Sequence, residues 1–219
     1  DAMTKKINDN TKVIYLANPD NPTGTYFSKE EFEKFMKYVP SRVIVLLDEA
    51  YFEYACHIHD YPDSMHYRFD NVITLRTFSK AQGLAGFRVG YGFAEEKLVE
   101  NLMKVKLPFE PSSLGQYAAC IAMDDFEHLE NSIKINNSEK QRLIDFFELK
   151  KISYIPSVTN FITLEFNTEN EAFLFCENLL KRGVILRHLI GFGLSKCIRI
   201  TVGIPEENDF LIKNIEELL

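Results

Sequence analysis

Three short, almost uninterrupted apolar runs, each closing on a cluster of polar residues, constrain this chain more than any other feature. They are residues 11–17 (T-K-V-I-Y-L-A), 42–47 (R-V-I-V-L-L) and the V-I-T-L within 71–76. Runs of this length, rich in β-branched residues and bounded by turn formers, read as strands. Strands without polar alternation are buried on both faces, the habit of a parallel sheet. Between the first two runs lies a helix signal. Ser28 and Glu31 form a capping box, Phe32, Phe35, Met36 and Val39 share one face, and Pro40 stops the helix. Strand, helix, strand predicts an α/β fold. The polar clusters sit at the strands' C-terminal ends: a rigid N-P-D-N-P-T-G loop (18–24), D-E-A-Y (48–51), and T-F-S-K (77–80). We therefore expect Asn21, Asp48 with Tyr51, and Lys80 at one sheet edge, where α/β folds bind ligands.

The third cluster has the sharpest chemistry. Thr77, Ser79 and Lys80 lead into Gly83, Gly86, Gly90 and Gly92, with Arg88 eight residues after the lysine. Hydroxyls, glycines and an arginine at a strand end suit an anion, since backbone can approach closely and a guanidinium can bind phosphate bidentately. A lysine beside an arginine in a partly desolvated pocket is pushed toward neutrality and becomes a nucleophile for carbonyls. A phosphate-bearing aldehyde uses both features, and pyridoxal 5'-phosphate is the obvious one.

Other classes fit poorly. The net charge of −7 argues against nucleic acid, which rewards a basic face. No apolar run approaches the roughly 20 residues of a membrane span. A G-x-x-x-x-G-K-[ST] phosphate loop is missing. Cys56, Cys120, Cys176 and Cys197 are widely spaced and read as reduced thiols of a cytoplasmic protein. His57-x-His59 lacks a third ligand at suitable spacing, so no metal is expected. The D-A-M-T-K-K-I-N start is no signal peptide and reads as if cut from a longer chain.

After Gly92 we expect helices over 95–105, 114–123 and 126–151, and strands at 154–155 and 160–166, the latter alternating N-F-I-T-L-E-F. A helix over 169–182 should end at Gly183 in the left-handed region. Short strands at 184–186 and 198–202 and a closing helix over 206–219 follow.

N-P-D-N-P-T-G, D-E-A-Y, T-F-S-K-A-Q-G-L-A-G-F-R-V-G (77–90) and R-I-T-V-G (199–203) together resemble the fold-type I aminotransferases that use pyridoxal phosphate. Within them, F-S-K-A-x-G-L-A-G-F-R-x-G and the arginines of G-V-I-L-R (183–187) and C-I-R-I-T-V-G (197–203) are most similar to the histidinol-phosphate aminotransferases. The resemblance implies the aspartate aminotransferase-like fold. Residues 1–125 would be part of a cofactor-binding large domain with a mainly parallel sheet, and 126–219 a smaller α/β domain. It implies that Lys80 holds the cofactor and moves the substrate's α-proton, that Asp48 pairs with the pyridine nitrogen, and that Asn21 and Tyr51 hydrogen-bond the ring hydroxyl. Thr77, Ser79 and Arg88 would hold the phosphate, Arg199 the substrate carboxylate, and Arg187 its distal end. Partners would be a small-molecule amino donor, a 2-oxo acid and a second subunit of a homodimer. The family's amino-terminal segments, which complete the cofactor cup, do not precede Thr11, so weak cofactor binding is expected of these residues alone. Threonine-phosphate decarboxylases and other aminotransferases share the reactive residues. A non-catalytic binding protein is the rival of a different class.

Overall fold

The computed structural model describes residues 2–66 and 69–219. The chain divides into two compact units. One comprises the residues up to Pro19 together with Tyr26–Leu129; the other comprises Asp20–Thr25 with Glu130–Leu219.

The first unit is built on a four-stranded sheet, β1 (Val13–Ala17), β2 (Ile44–Asp48), β3 (Val72–Thr77) and β4 (Gly90–Phe93), in that order. The first three are parallel, with Ala17 opposite Asp48 and Asp48 opposite Leu75. One face carries Ile14, Val45, Leu47 and Val72, buried against Phe32, Met36 and Val39 on and just after α1 (Lys29–Met36). Each of these large side chains contributes on the order of 1.5–3 kcal/mol by leaving water. The expected capping box is present: the Ser28 hydroxyl accepts from the Glu31 backbone, and Glu31 accepts from the Ser28 backbone at 2.9 Å. Two elements here escaped the pattern reading. A short helix, α2 (Phe52–Ala55), follows Tyr51, and the glycine-rich stretch contains β4, antiparallel to β3. A side chain on Gly90 would come within 2.7 Å of the Arg76 carbonyl, so the glycine is what lets β4 pair there. Helices α3 (Glu96–Val105) and α4 (Ser113–Asp124) follow, and α5 (Phe126–Leu149) runs from the first unit into the second.

The second unit has an antiparallel sheet of β5 (Tyr154–Ile155), β6 (Phe161–Glu165), β8 (Cys197–Thr201) and β7 (Arg187–His188), in that order, with α6 (Glu169–Leu180) and α7 (Pro205–Glu216). Leu143 and Phe147 of α5, Ile162 and Leu164, Leu179, Ile198 and Ile215 are fully buried in one cluster. Two expectations need correction. The third strand lies at Arg187–His188 rather than 184–186, because Val184 follows the left-handed Gly183 (φ 87°) and packs into the core instead of pairing. β6 does not alternate: Phe161, Ile162, Thr163 and Leu164 are all buried. Thr163 is satisfied by donating to the Pro22 carbonyl at 2.6 Å, and the Val158 amide donates to Gly24 at 2.9 Å. Gly24 (φ 79°) sits so close to Ser157 that any Cβ would collide with it. These contacts fasten 20–25 to the second unit, whereas Asn18 and Pro19 belong to the first.

Candidate active site

In the first unit, β2 ends on Asp48, which is half-buried. One carboxylate oxygen accepts from the Ala50 amide at 3.0 Å, a turn that holds the side chain upright. The other accepts from the Tyr15 hydroxyl. Tyr15 was missed by the sequence reading, although the signal was available. In a parallel register residues two apart share a face, so Tyr15 falls on the same face as Ala17 and Asp48.

Tyr51, buried, caps α2 three residues after Asp48. The Lys80 amine lies 5.2 Å from the centre of the Tyr51 ring. The two residues thus meet although 29 positions separate them, because β2 and β3 are neighbours whose ends lie side by side. Thr77 closes β3, and its hydroxyl donates to Ser79 Oγ at 3.0 Å while accepting from the Ser79 amide at 3.1 Å. The two hydroxyls therefore form one polar group directly before Lys80. Arg88 is exposed, with φ at 54°, a left-handed conformation unusual for a side-chain-bearing residue and costing roughly 1–3 kcal/mol. Its guanidinium donates to the Ala85 carbonyl at 2.8 Å across the intervening turn.

Beneath these groups lies a buried charged network that pattern reading did not find. Arg76 points to the face opposite Thr77. It donates to Glu49 through Nε and Nη2, each at 2.8 Å, and to Asp63 at 3.0 Å. Its guanidinium stacks 3.3 Å from the centre of Phe52, and Ser64 donates to Glu49. Burial works against the charge on Arg76, but Glu49, Tyr91 and Asp63 together outweigh it and raise the guanidinium pKa. Burial pushes the Glu49 carboxyl up, opposed by the Ser64 and Arg76 hydrogen bonds. The network ties the end of β2 to β3 and to residues 63–64, so Asp48 and Thr77 project from a braced platform.

In the second unit, Arg199 sits mid-strand on β8, half-buried, with its guanidinium 5.0 Å from the Phe161 ring centre and donating to the Asn21 side-chain oxygen. Arg187, exposed, is its direct partner across β7 and β8. Two like charges opposite each other destabilise a sheet by a few tenths to about 1 kcal/mol unless an anion joins them. The structure thus brings Asp48, Tyr51, Thr77, Ser79, Lys80 and Arg88 into the first unit, and Asn21, Arg187 and Arg199 into the second. Among the described residues, no group of three or more histidine, cysteine, aspartate or glutamate side chains is placed to hold a metal ion. None of the described helices is long and apolar enough to cross a membrane.

A family model described as aminotransferase class I and II matches residues 1–215. Histidinol-phosphate aminotransferase 2 of Carboxydothermus hydrogenoformans is 44% identical over 219 residues, covering 99% of this chain and 60% of that protein. Histidinol-phosphate aminotransferase of Geobacillus thermodenitrificans is 40% identical over 222 residues, covering 100% of this chain and again 60% of that protein. This chain therefore spans about three-fifths of the length of the curated relatives it matches. Among solved structures, histidinol-phosphate aminotransferase from Sinorhizobium meliloti in complex with pyridoxal-5'-phosphate superposes with a TM-score of 0.87 at 30% identity. It covers 96% of this chain and 59% of that one. Aspartate aminotransferase of Thermus thermophilus, at 17% identity and a TM-score of 0.86, shares the fold.

Proposed function

The chain belongs to the class I and II aminotransferase family, and from that premise we propose that it forms part of a pyridoxal-phosphate-dependent transaminase moving an amino group between histidinol phosphate and 2-oxoglutarate. The observation that carries the reading is the approach of the Lys80 amine to Tyr51, next to Asp48 at the end of the adjoining strand. A carboxylate, an amine and a pair of hydroxyls in one unit are the donor set that a pyridine nitrogen, an aldehyde and a phosphate require, so the residues fit the cofactor.

Pyridoxal phosphate, when bound, supplies an electron sink that makes the substrate's α-hydrogen acidic. Every other task belongs to the protein. Asp48, oriented by the Ala50 amide and Tyr15, would pair with the ring nitrogen and favour its protonated form, since an anion there stabilises the charge. Lys80, whose amine lies beside the Tyr51 ring, would hold the cofactor's aldehyde and would be the base that takes and returns the substrate's α-proton. Tyr51 and Asn21 donate to the ring hydroxyl. Thr77, Ser79 and Arg88 hold the cofactor phosphate, Arg88 by leaving the Ala85 carbonyl. Arg199 takes the substrate carboxylate as a two-pronged donor and Arg187 its phosphate end.

Residues 1–125 are then part of the cofactor-binding large domain and 126–219 the small domain of a cytoplasmic homodimer. Treating the protein with pyridoxal phosphate and borohydride, followed by peptide mapping, should tag Lys80, and Lys80→Ala should lose that tag entirely. Supplying histidinol phosphate and 2-oxoglutarate to the full-length enzyme should yield glutamate; tagging without glutamate would leave the cofactor reading and remove the substrate.

A further inference from the structure

Glu53 lies on α2, two residues after Tyr51, and is only 8% exposed. One of its carboxyl oxygens accepts from the Gln82 side-chain amide at 3.0 Å. Among the described residues the other is buried without a hydrogen-bond partner, and so is the side-chain carbonyl oxygen of Gln82 itself. Two orphaned acceptors on the two members of one bonded pair leave a deficit of a single donor. A proton on Glu53 supplies it. The acid O–H then donates to the Gln82 carbonyl while the Gln82 N–H donates to the acid carbonyl, and all four polar atoms are satisfied.

We propose that Glu53 is held as a neutral carboxylic acid that closes a two-hydrogen-bond ring with the Gln82 amide, and that this clamp positions the Lys80 loop on the helix that follows Asp48 and Tyr51. The charged groups acting on Glu53 are consistent with neutrality. Burial, the largest influence, raises its carboxyl pKa; the Gln82 N–H, the residue's own backbone N–H and the nearby Arg76 charge work the other way, and that charge is already taken by Glu49 and Asp63. Cys56, on the turn after α2, also faces Glu53; its thiol pKa is raised first by burial and next by Glu53. Gln82 in turn sits two residues past Lys80, inside the turn closed by Gly83 N–H to Lys80 O at 3.0 Å and Leu84 N–H to Phe78 O at 2.8 Å. A clamp at Gln82 therefore fixes the turn that aims the lysine. Glu53 and Gln82 are positioning residues, and what they position rests on the function proposed for Lys80.

Infrared spectra of glutamate-labelled protein near neutral pH should contain a protonated-carboxyl C=O band that disappears in Glu53→Gln. Absence of that band overturns the proposal. Hydrogen exchange at the Gly83 and Leu84 amides should accelerate roughly tenfold in Gln82→Ala and Glu53→Ala, the loss expected for about one net hydrogen bond, and stay near wild type in Glu53→Gln. Borohydride tagging of Lys80 by pyridoxal phosphate should slow in the alanine variants and recover in Glu53→Gln. If Glu53→Gln is as damaging as Glu53→Ala, the acid is ionised and the clamp is wrong. Should Glu53→Ala not fold, Gln82→Ala against Glu53→Gln makes the same comparison. The band and the exchange pattern need no cofactor. An untagged Lys80 with both intact would therefore remove the transaminase reading and keep the clamp.

Discussion

Arg76 in the first sheet and Arg199 in the second both lie within strands, and the two are treated in opposite ways. Arg76 on β3 is buried, bound by Glu49 and Asp63 and stacked on Phe52. Arg199 on β8 is half-buried, near one aromatic ring, and among the described residues its side-chain partner is the neutral amide of Asn21 rather than a carboxylate. A buried guanidinium with a full set of anionic acceptors is a structural brace. One whose partner is an amide keeps its charge available, which is why we propose a substrate carboxylate for Arg199. Sequence alone does not separate them, since both are arginines in short apolar strands.

The comparison breaks first on stability. Arg76→Met strands Glu49 as a buried unpaired charge, and chemical denaturation should register a loss of about 3–5 kcal/mol. Arg199→Met should cost less than about 1 kcal/mol while sharply raising the full-length enzyme's KM for the amino donor. Equal stability losses would mean that Arg199 is a brace as well.

Lys140 on α5 sharpens the point as a cation whose hydrogen-bond partner among the described residues is a carbonyl, that of Thr159 at 3.1 Å. Burial lowers its pKa from 10.5 to about 8. The folded state then binds fewer protons than the unfolded chain between those values. Stability should accordingly rise with pH from about 8 to 10.5, by on the order of 2–3 kcal/mol. Cys176, pushed by burial from 9.0 up to about 11, acts oppositely, and its contribution is lost as pH rises through that range. The difference between wild type and Lys140→Met isolates the lysine. A flat difference curve would show that it is solvated.

The smallest effect concerns the strand pair itself. Arg187→Gln relieves the like charge facing Arg199 and should stabilise the protein by a few tenths of a kcal/mol, measured as a rise in Tm at low salt that shrinks when salt is added.

What the sequence disclosed follows a physical line. Ser28, Glu31, Phe32 and Met36 announced α1 because caps and helical faces are set by residues three and four apart. Asp48 and Lys80 stood out because strand ends in parallel sheets gather chemistry. The Glu49–Arg76–Asp63–Ser64 network was hidden because its members meet only after strands pair, and nothing local marks a carboxylate as buried. β4 was hidden for a different reason. Glycines suggest turns, and Gly90 serves a close approach of two backbones instead. The course of 20–25 depended on Thr163 and Ser157, more than 130 positions away.

The Tyr15–Asp48 contact equips the protein with an optical gauge. The chain has no tryptophan, so its near-ultraviolet spectrum belongs chiefly to its tyrosines. A phenol donating to a carboxylate absorbs differently from one donating to water, and any group that drew Asp48 toward itself would alter that band. Subtracting the Tyr15→Phe spectrum would turn occupancy beside Asp48 into a titratable signal without a single turnover.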